Sequence, residues 1–424
     1  MRVLILNQFF YPDHSATSQL MTDLAEGLVD RGIEITALAG RGRYNGGPTL
    51  ERREIHKGVK IERAWATSFG KATLAGRLCD YLSFYMGAAI KLLILPRHDI
   101  VMVLTTPPLI GAVAVLIGWF KRTQVISLMQ DIYPDVAIAL GAVDKRSFLA
   151  RCLDSLNRVV LNSSSRIIVL GECMRDRIIP KLALGRSDCV DVIHNWADGS
   201  TIKPLKIADN SFIRLNGFQD KFLVVFSGNL GQVNDFGTLL ESARLLQERD
   251  DILFVFIGEG AKKSEIAEFA KVNNLKNLRM LPYQSREMLP HSITAAGTQV
   301  VTLAEGLAGL SVPSKTYGIL AAGRPILFIG DRASSAAKIV EHYDAGAVFA
   351  SGESIRLAAV IAAWAANLEE VERLGCNARI AFETLFDRQN AIESYIRSFL
   401  RCASGAQAPE APNEPEPREL LSTD

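Results

Sequence analysis

The densest chemistry in this 424-residue chain lies at Glu305-Gly-Leu-Ala-Gly-Leu-Ser-Val-Pro-Ser-Lys315, followed by Tyr317-Gly-Ile-Leu-Ala-Ala-Gly-Arg-Pro325. Glu305 is an isolated carboxylate before a glycine-rich apolar loop, a place with little structural use for an acid. Ser311 and Ser314 supply hydroxyl donors, and Lys315 supplies a point charge. The pattern predicts that this segment follows a strand and enters a helix. A helix start offers free N–H groups and a positive dipole, so hydroxyls and an ammonium there suit phosphate. Pro-Ser-Lys also reads as an ordinary helix start with serine as its cap.

These residues must be held by a scaffold, and the scaffold repeats. Val3-Leu-Ile-Leu6 predicts a buried parallel strand. After a loop, Leu20, Leu24 and Leu28 recur at helical spacing, Gly32 ends that helix, and a strand follows at 33–38. Further strands are expected at 99–104, 124–128 and 166–170. The theme starts again with strands at 222–226, 252–257, 278–281, 299–303 and 325–329, alternating with helices at 238–246 and 262–272. Helices are expected over 355–402. Strands alternating with helices imply doubly wound parallel sheets. Two such series predict two Rossmann-like domains facing a cleft. The expected divisions are 1–200, with a helix at 388–403 packing back on it, then 201–387, then a disordered acidic tail at 405–424.

Composition sets outer limits. Lys and Arg number 47 against 46 Asp and Glu, a balance that excludes a nucleic-acid binder working by bulk charge. The balance is uneven along the chain: residues 1–200 carry a net charge of +5 and the last twenty carry −4. The six cysteines lack CxxC pairing and the six histidines lack ligand spacing, so scattered free thiols and no metal site are expected. No secretory h-region follows Met1. Ile100–Phe120 is uncharged for 21 residues, but Thr105-Thr-Pro-Pro108 interrupts it, and a strand followed by a helix accounts for the run. Residues 72–122 also combine apolar helical stretches with Arg77, Lys91, Arg97, Lys121 and Arg122. That combination suits either an anionic membrane surface or a buried helix with solvated flanks.

The chain resembles the retaining GT-B glycosyltransferases of family 4, and within them the bacterial surface-polysaccharide branch that makes O-antigen and colanic acid. The resemblance spans about residues 1–400. It rests on Asn7-Gln-Phe-Phe-Tyr-Pro-Asp13 with 16–25, Gln130-Asp-Ile-Tyr-Pro-Asp135 with Ala139-Leu-Gly141, Val192-Ile-His-Asn-Trp-Ala-Asp198, Phe226-Ser-Gly-Asn-Leu-Gly231, Ile257-Gly-Glu-Gly260 and the 311–325 block.

The resemblance implies that a sugar moves, with retention, from a UDP- or GDP-linked donor to a polyprenyl-diphosphate-linked saccharide. It implies no metal and no other cofactor, and a cytoplasmic enzyme in peripheral contact with the inner face of the cell membrane. Asp131 and Glu305 would be catalytic. Ser227, Gly228, Asn229, Glu259, Tyr283, Gln284, Ser311, Ser314 and Lys315 would bind the donor, and Ala16, Thr17 and Ser18 the acceptor. The family's two phosphate-binding cations stand here as Asn229 and Asp235. Asp235 would repel phosphate, which leaves Lys315, helped by Arg286 or Arg324. The family's ribose-binding Glu is replaced by Gly318, and its first-loop Gly-Gly by Ala16-Thr17.

Two alternatives share the fold: a sugar-nucleotide 2-epimerase and a catalytically weakened nucleotide-sugar-binding subunit. The 72–122 stretch argues against the first, while Asp235 and Gly318 keep the second open. The lack of a G-x-G-x-x-G after the first strand argues against a dehydrogenase.

Overall fold

The computed structural model describes residues 1–44, 46–69, 74–206, 209–285 and 287–404. The expected tail at 405–424 and the candidate cation Arg286 lie outside the described residues. The chain divides into two units: Met1–His194 with the C-terminal helix Arg388–Ser404, and Asn195–Asp387. The division falls six residues before the expected position 200. Ala197 pairs with Asp387, and the Gly199 N–H donates to the Asp387 carboxylate at 3.2 Å, which ties this stretch to the second unit.

The first unit is an eight-stranded sheet. Its strands are β1 (Arg2–Leu6), β2 (Glu34–Gly40), β3 (Arg53–His56), β4 (Val59–Ala64), β5 (Ile100–Val103), β6 (Gln124–Met129), β7 (Arg166–Val169) and β8 (Val190–Val192). The order is β3-β4-β2-β1-β5-β6-β7-β8, all parallel except the β3–β4 pair. The helices are α1 (Ala16–Asp30), α2 (Leu74–Ile94), α3 (Gly111–Lys121), α4 (Asp135–Ala139), α5 (Phe148–Ser163) and α6 (Glu172–Ile178). Strands such as Val3–Leu6 and Ile100–Val103 are buried along their length, as expected for a parallel sheet covered on both faces. Helix Arg388–Ser404 is held on this unit. Arg388 donates to the Asp23 carbonyl at 2.7 Å, and Ser398 donates to Asp191 at 2.6 Å.

The β3–β4 hairpin was not expected from the sequence. It turns at Lys57-Gly58, both with positive φ, which matches the primed turns that hairpins favour. Val59 and Ile61 face inward, and Arg63 takes the third inward place. There it pairs with Glu54 at 2.9 Å and donates to the Tyr11 carbonyl at 2.6 Å.

The second unit is a six-stranded parallel sheet: β9 (Phe222–Ser227), β10 (Ile252–Ile257), β11 (Leu278–Leu281), β12 (Thr298–Thr302), β13 (Ile326–Ile329) and β14 (Gly346–Phe349). The order is β11-β10-β9-β12-β13-β14. Its helices are α7 (Ser211–Asn216), α8 (Gly237–Leu245), α9 (Lys263–Val272), α10 (Leu289–Thr294), α11 (Lys315–Ala321), α12 (Ser335–His342), α13 (Ser354–Ala366) and α14 (Leu368–Ala381). Phe226, Phe236, Phe254 and Phe256 are among its largest fully buried side chains. Edge-to-face contacts join Phe226 to Phe236 at 4.8 Å and Phe236 to Phe256 at 5.7 Å.

Candidate functional site

In the second unit the chain runs outward from β9 in one direction and from β12 in the other. The loops at their carboxyl ends therefore part, and such a switch point is where open α/β sheets take ligands. The Ala304 N–H donates to the Val233 carbonyl at 2.8 Å and joins the two loops.

Lys315, the first residue of α11, stands at this point. Its ammonium lies 3.2 Å from the centroid of the Phe226 ring. A Cβ at Gly228 would meet that nitrogen at 3.2 Å, so the ammonium packs against this glycine. The ammonium is buried and has no hydrogen-bond partner, and burial pushes its pKa well down. A ring face returns about 2 kcal/mol to a desolvated cation, less than the several kcal/mol that burying an ion costs. An anion entering beside Gly228 would supply the difference.

The turn after β9 is locked to the turn after β10. The Gly228 N–H donates to the Ile257 carbonyl, and the Leu230 N–H to the Glu259 carbonyl, both at 2.9 Å. Gly258 has φ +144°, and a Cβ there would come within 2.0 Å of the Gly228 carbonyl oxygen, so only glycine fits. Tyr283 donates to the Glu259 carbonyl at 3.3 Å. Ser227, Gly228 and Asn229 are thereby gathered with Lys315, Glu259 and Tyr283.

The other donor-site residues are placed individually. The Glu259 carboxylate pairs with Lys263 at 2.7 Å. Gln284 donates to the Pro282 carbonyl at 2.9 Å. Glu305 is exposed, beside the joined loops, and makes no ion pair among the described residues. Ser311 is half-buried, and its N–H donates to Leu307 at 3.3 Å. Ser314 precedes α11 but its hydroxyl does not cap it. Gly318 lies on α11, where a Cβ would meet Ile293 at 3.3 Å.

Asp235 is bonded within its own unit. One carboxylate oxygen accepts the Gly237 N–H at the start of α8, and the other accepts the Ser351 hydroxyl, both at 3.0 Å. Arg324 is also committed, donating to the Leu205 carbonyl at 2.8 Å. Phe226 and Asn234, to which the sequence alone assigns no role, also support this site. Buried Asn234 braces the β9 turn by donating to the Asn229 carbonyl at 3.0 Å. An aromatic one residue before Ser-Gly was the available signal for Phe226.

In the first unit the switch point lies between β1 and β5. The Gln8 N–H donates to the Thr106 carbonyl at 3.0 Å, and the Asp131 N–H to the Thr105 hydroxyl at 3.3 Å. Asp131 is thus half-buried where the loops after β5 and β6 meet. Burial, and then the charge of Asp131, push the Tyr133 hydroxyl well above its usual pKa. Of the expected acceptor residues, Ala16 is exposed and Thr17 half-buried. Ser18 is fully buried and donates to the Asp13 carbonyl at 3.2 Å, so its hydroxyl braces the loop from within. The Asp13 carboxylate accepts the N–H groups of Ser15 at 2.9 Å and Tyr44 at 2.6 Å.

Comparison with known proteins now bears on this geometry. A sucrose-phosphate synthase from Thermosynechococcus elongatus superposes with a TM-score of 0.77 at 13% identity, covering 96% of this chain and all of the other. Anabaena HepE, solved in complex with UDP-glucose, gives 0.71 at 16% identity, over 94% and 99%. The fold is GT-B. The Glycosyl transferase 4-like domain family matches residues 17–196, and Glycosyl transferases group 1 matches residues 209–381. The two matches follow one another along the chain, one on each unit of the fold. Among curated proteins it is similar to a probable glycosyltransferase, WbjE of Pseudomonas aeruginosa. The two are 27% identical over 62% of this chain and 66% of that protein, just under two thirds of its length. It is also similar to a putative colanic acid biosynthesis glycosyl transferase, WcaI of Escherichia coli K12. That match is 23% identical, over 66% of this chain and 69% of the other.

Proposed function

We propose that this protein transfers a sugar, with retention, from a nucleotide-sugar donor to a polyprenyl-diphosphate-linked saccharide in cell-surface polysaccharide biosynthesis. The observation that carries the proposal is the buried ammonium of Lys315, which has no hydrogen-bond partner and packs beside Gly228. It is a cation built to meet an anion. Support comes from HepE, which holds UDP-glucose on the same fold, and from WcaI, whose name places it in colanic acid biosynthesis.

The chemistry follows from charge. Breaking the bond between the sugar and the diphosphate leaves negative charge on the phosphate and positive character on the sugar. A fixed cation at the phosphate stabilises that state more than the ground state. Lys315 would hold the diphosphate, while Glu259, Tyr283 and Gln284 lie near the nucleotide and Glu305 near the sugar. Asp131 would orient the acceptor in the first unit, beside Ala16 and Thr17. Front-face attack would let the leaving phosphate take the acceptor proton, so the reaction would need no metal and no further cofactor. A polyprenyl-linked acceptor would be met at the inner face of the membrane, where the enzyme would work peripherally from the cytoplasm.

The test is a thermal-shift screen of UDP- and GDP-sugars. A donor that binds the folded state raises the melting temperature. Failure of every sugar nucleotide to shift it would overturn the proposal. Binding without transfer to any lipid-linked acceptor would favour the weakened binding subunit instead.

A further inference from the structure

Helix α2 is apolar on two faces. Phe84, Ala88 and Leu92 are buried against the sheet. On the opposite side Leu78, Leu82, Met86, Ile90 and Ile94 follow one another turn by turn, each at least half exposed. A surface helix ordinarily turns a polar stripe outward. α3 packs beside α2 and continues the surface with Leu116, Trp119 and Phe120, of which Trp119 is 75% and Phe120 64% exposed. Single exposed apolar residues are common, but a run across two adjoining helices marks an interaction surface.

Apart from Asp80, the charged side chains on these two helices are cations. Asp80 is the one acid on α2, and α3 has none. The Asp80 carboxylate accepts from the Thr67 hydroxyl at 2.8 Å and the Phe69 N–H at 2.9 Å. The carboxyl ends of the two helices are stitched together by cations. Lys121 donates to the Leu95 carbonyl at 2.5 Å, and Arg97 to the Arg122 carbonyl at 2.8 Å. Arg97, Lys121 and Arg122 thus gather next to the Trp119–Phe120 pair, whose rings meet edge-on at 5.0 Å.

We propose that the α2–α3 face seats this protein on a bilayer bearing anionic headgroups. The aliphatic stripe enters the acyl boundary, Trp119 and Phe120 lie at the headgroup level, and the three cations meet lipid phosphate. Aromatic rings with a cationic rim suit that interface, and anionic lipid rewards each cation near it. The helices lie on the membrane, since no helix among the described residues is long and apolar enough to cross one. The proposal draws its purpose from the lipid-linked acceptor reading, but its geometry is independent of the donor site.

The test is co-sedimentation of the full chain with phosphatidylglycerol-containing vesicles and with pure phosphatidylcholine vesicles. The expected result is pelleting with the anionic vesicles, weakened by high salt, and at least tenfold weaker partition for Trp119→Glu/Phe120→Glu. Leu82→Glu/Met86→Glu is the second variant, on the other helix. Both pairs are exposed, so both should retain the wild-type thermal shift with donor. Three results would overturn the proposal: wild type that stays in the supernatant, variants that pellet as well as wild type, or a solution dimer that the same substitutions split. Intact pelleting with no donor shift would instead sink the donor reading and leave this one standing.

Discussion

The Lys315 ammonium and the Phe226 ring are stacked at 3.2 Å in the second unit, cation over ring face. Phe226 is fully buried on β9, and Lys315 opens the helix that follows the β12 loop. Among the described residues no hydrogen-bond acceptor meets the Lys315 nitrogen. The cost to the empty protein is the reason to expect a ligand.

Lys315→Met keeps the length of the side chain and removes the buried charge. The ligand-free variant should be more stable than wild type by about 1–3 kcal/mol, read from urea unfolding. It should also lose the melting shift that a sugar nucleotide gives wild type. A variant less stable than wild type would mean that the ammonium has a compensating partner.

The pH dependence follows in sign. Burial holds Lys315 below its usual pKa in the folded state, while in the unfolded chain it titrates near the ordinary value of about 10.4. Between those two values the unfolded chain binds more protons, so this group makes stability rise with pH across that window. Lys315→Met should flatten the rise. Donor binding needs the ammonium and so takes up a proton. Affinity should therefore fall as pH rises through the same window, with proton uptake visible by calorimetry in buffers of different ionisation enthalpy.

Gly258→Ala would drive a methyl group to 2.0 Å from the Gly228 carbonyl oxygen, at a backbone angle that disfavours side chains. We expect a loss of about 2–4 kcal/mol in unfolding free energy. Donor affinity should fall with it, because the β9 turn must move. Retention of full affinity would show that this turn does not bind the diphosphate.

Asp235→Ala removes the acceptor for the Gly237 N–H and the Ser351 hydroxyl. Stability should drop by about 1 kcal/mol, the usual worth of such a bond near a helix start. Donor affinity should hold or rise slightly. A large loss of affinity would give this carboxylate a ligand role that its bonds do not suggest.

Asp131→Asn preserves the shape of a half-buried side chain and removes its charge. Transfer rate should fall at least tenfold while the donor-induced melting shift is unchanged. The Tyr133 hydroxyl, relieved of its neighbour's charge, should titrate lower by ultraviolet difference spectroscopy.

Most of the scaffold was legible because parallel strands buried on both faces must be apolar throughout. Phe222–Ser227, Ile252–Ile257 and Ile326–Ile329 stand out for that reason. The β3–β4 hairpin was hidden because its third inward residue is Arg63, a cation satisfied by Glu54 and a distant carbonyl. Short β8 and β14 offered too few residues to show a pattern.

The amino-acid sequence determined the class of fold and the cluster most suited to phosphate, since apolar period and residue type act locally. Only tertiary structure decided what those residues touch. Asp235 is bonded across 116 positions to Ser351, a partner that no local pattern shows. Lys315 was the main cation that the sequence offered to phosphate. The pairing of β9 with β12 brought it over Phe226 and in front of a glycine nearly ninety positions away, and burial made its charge costly without a ligand.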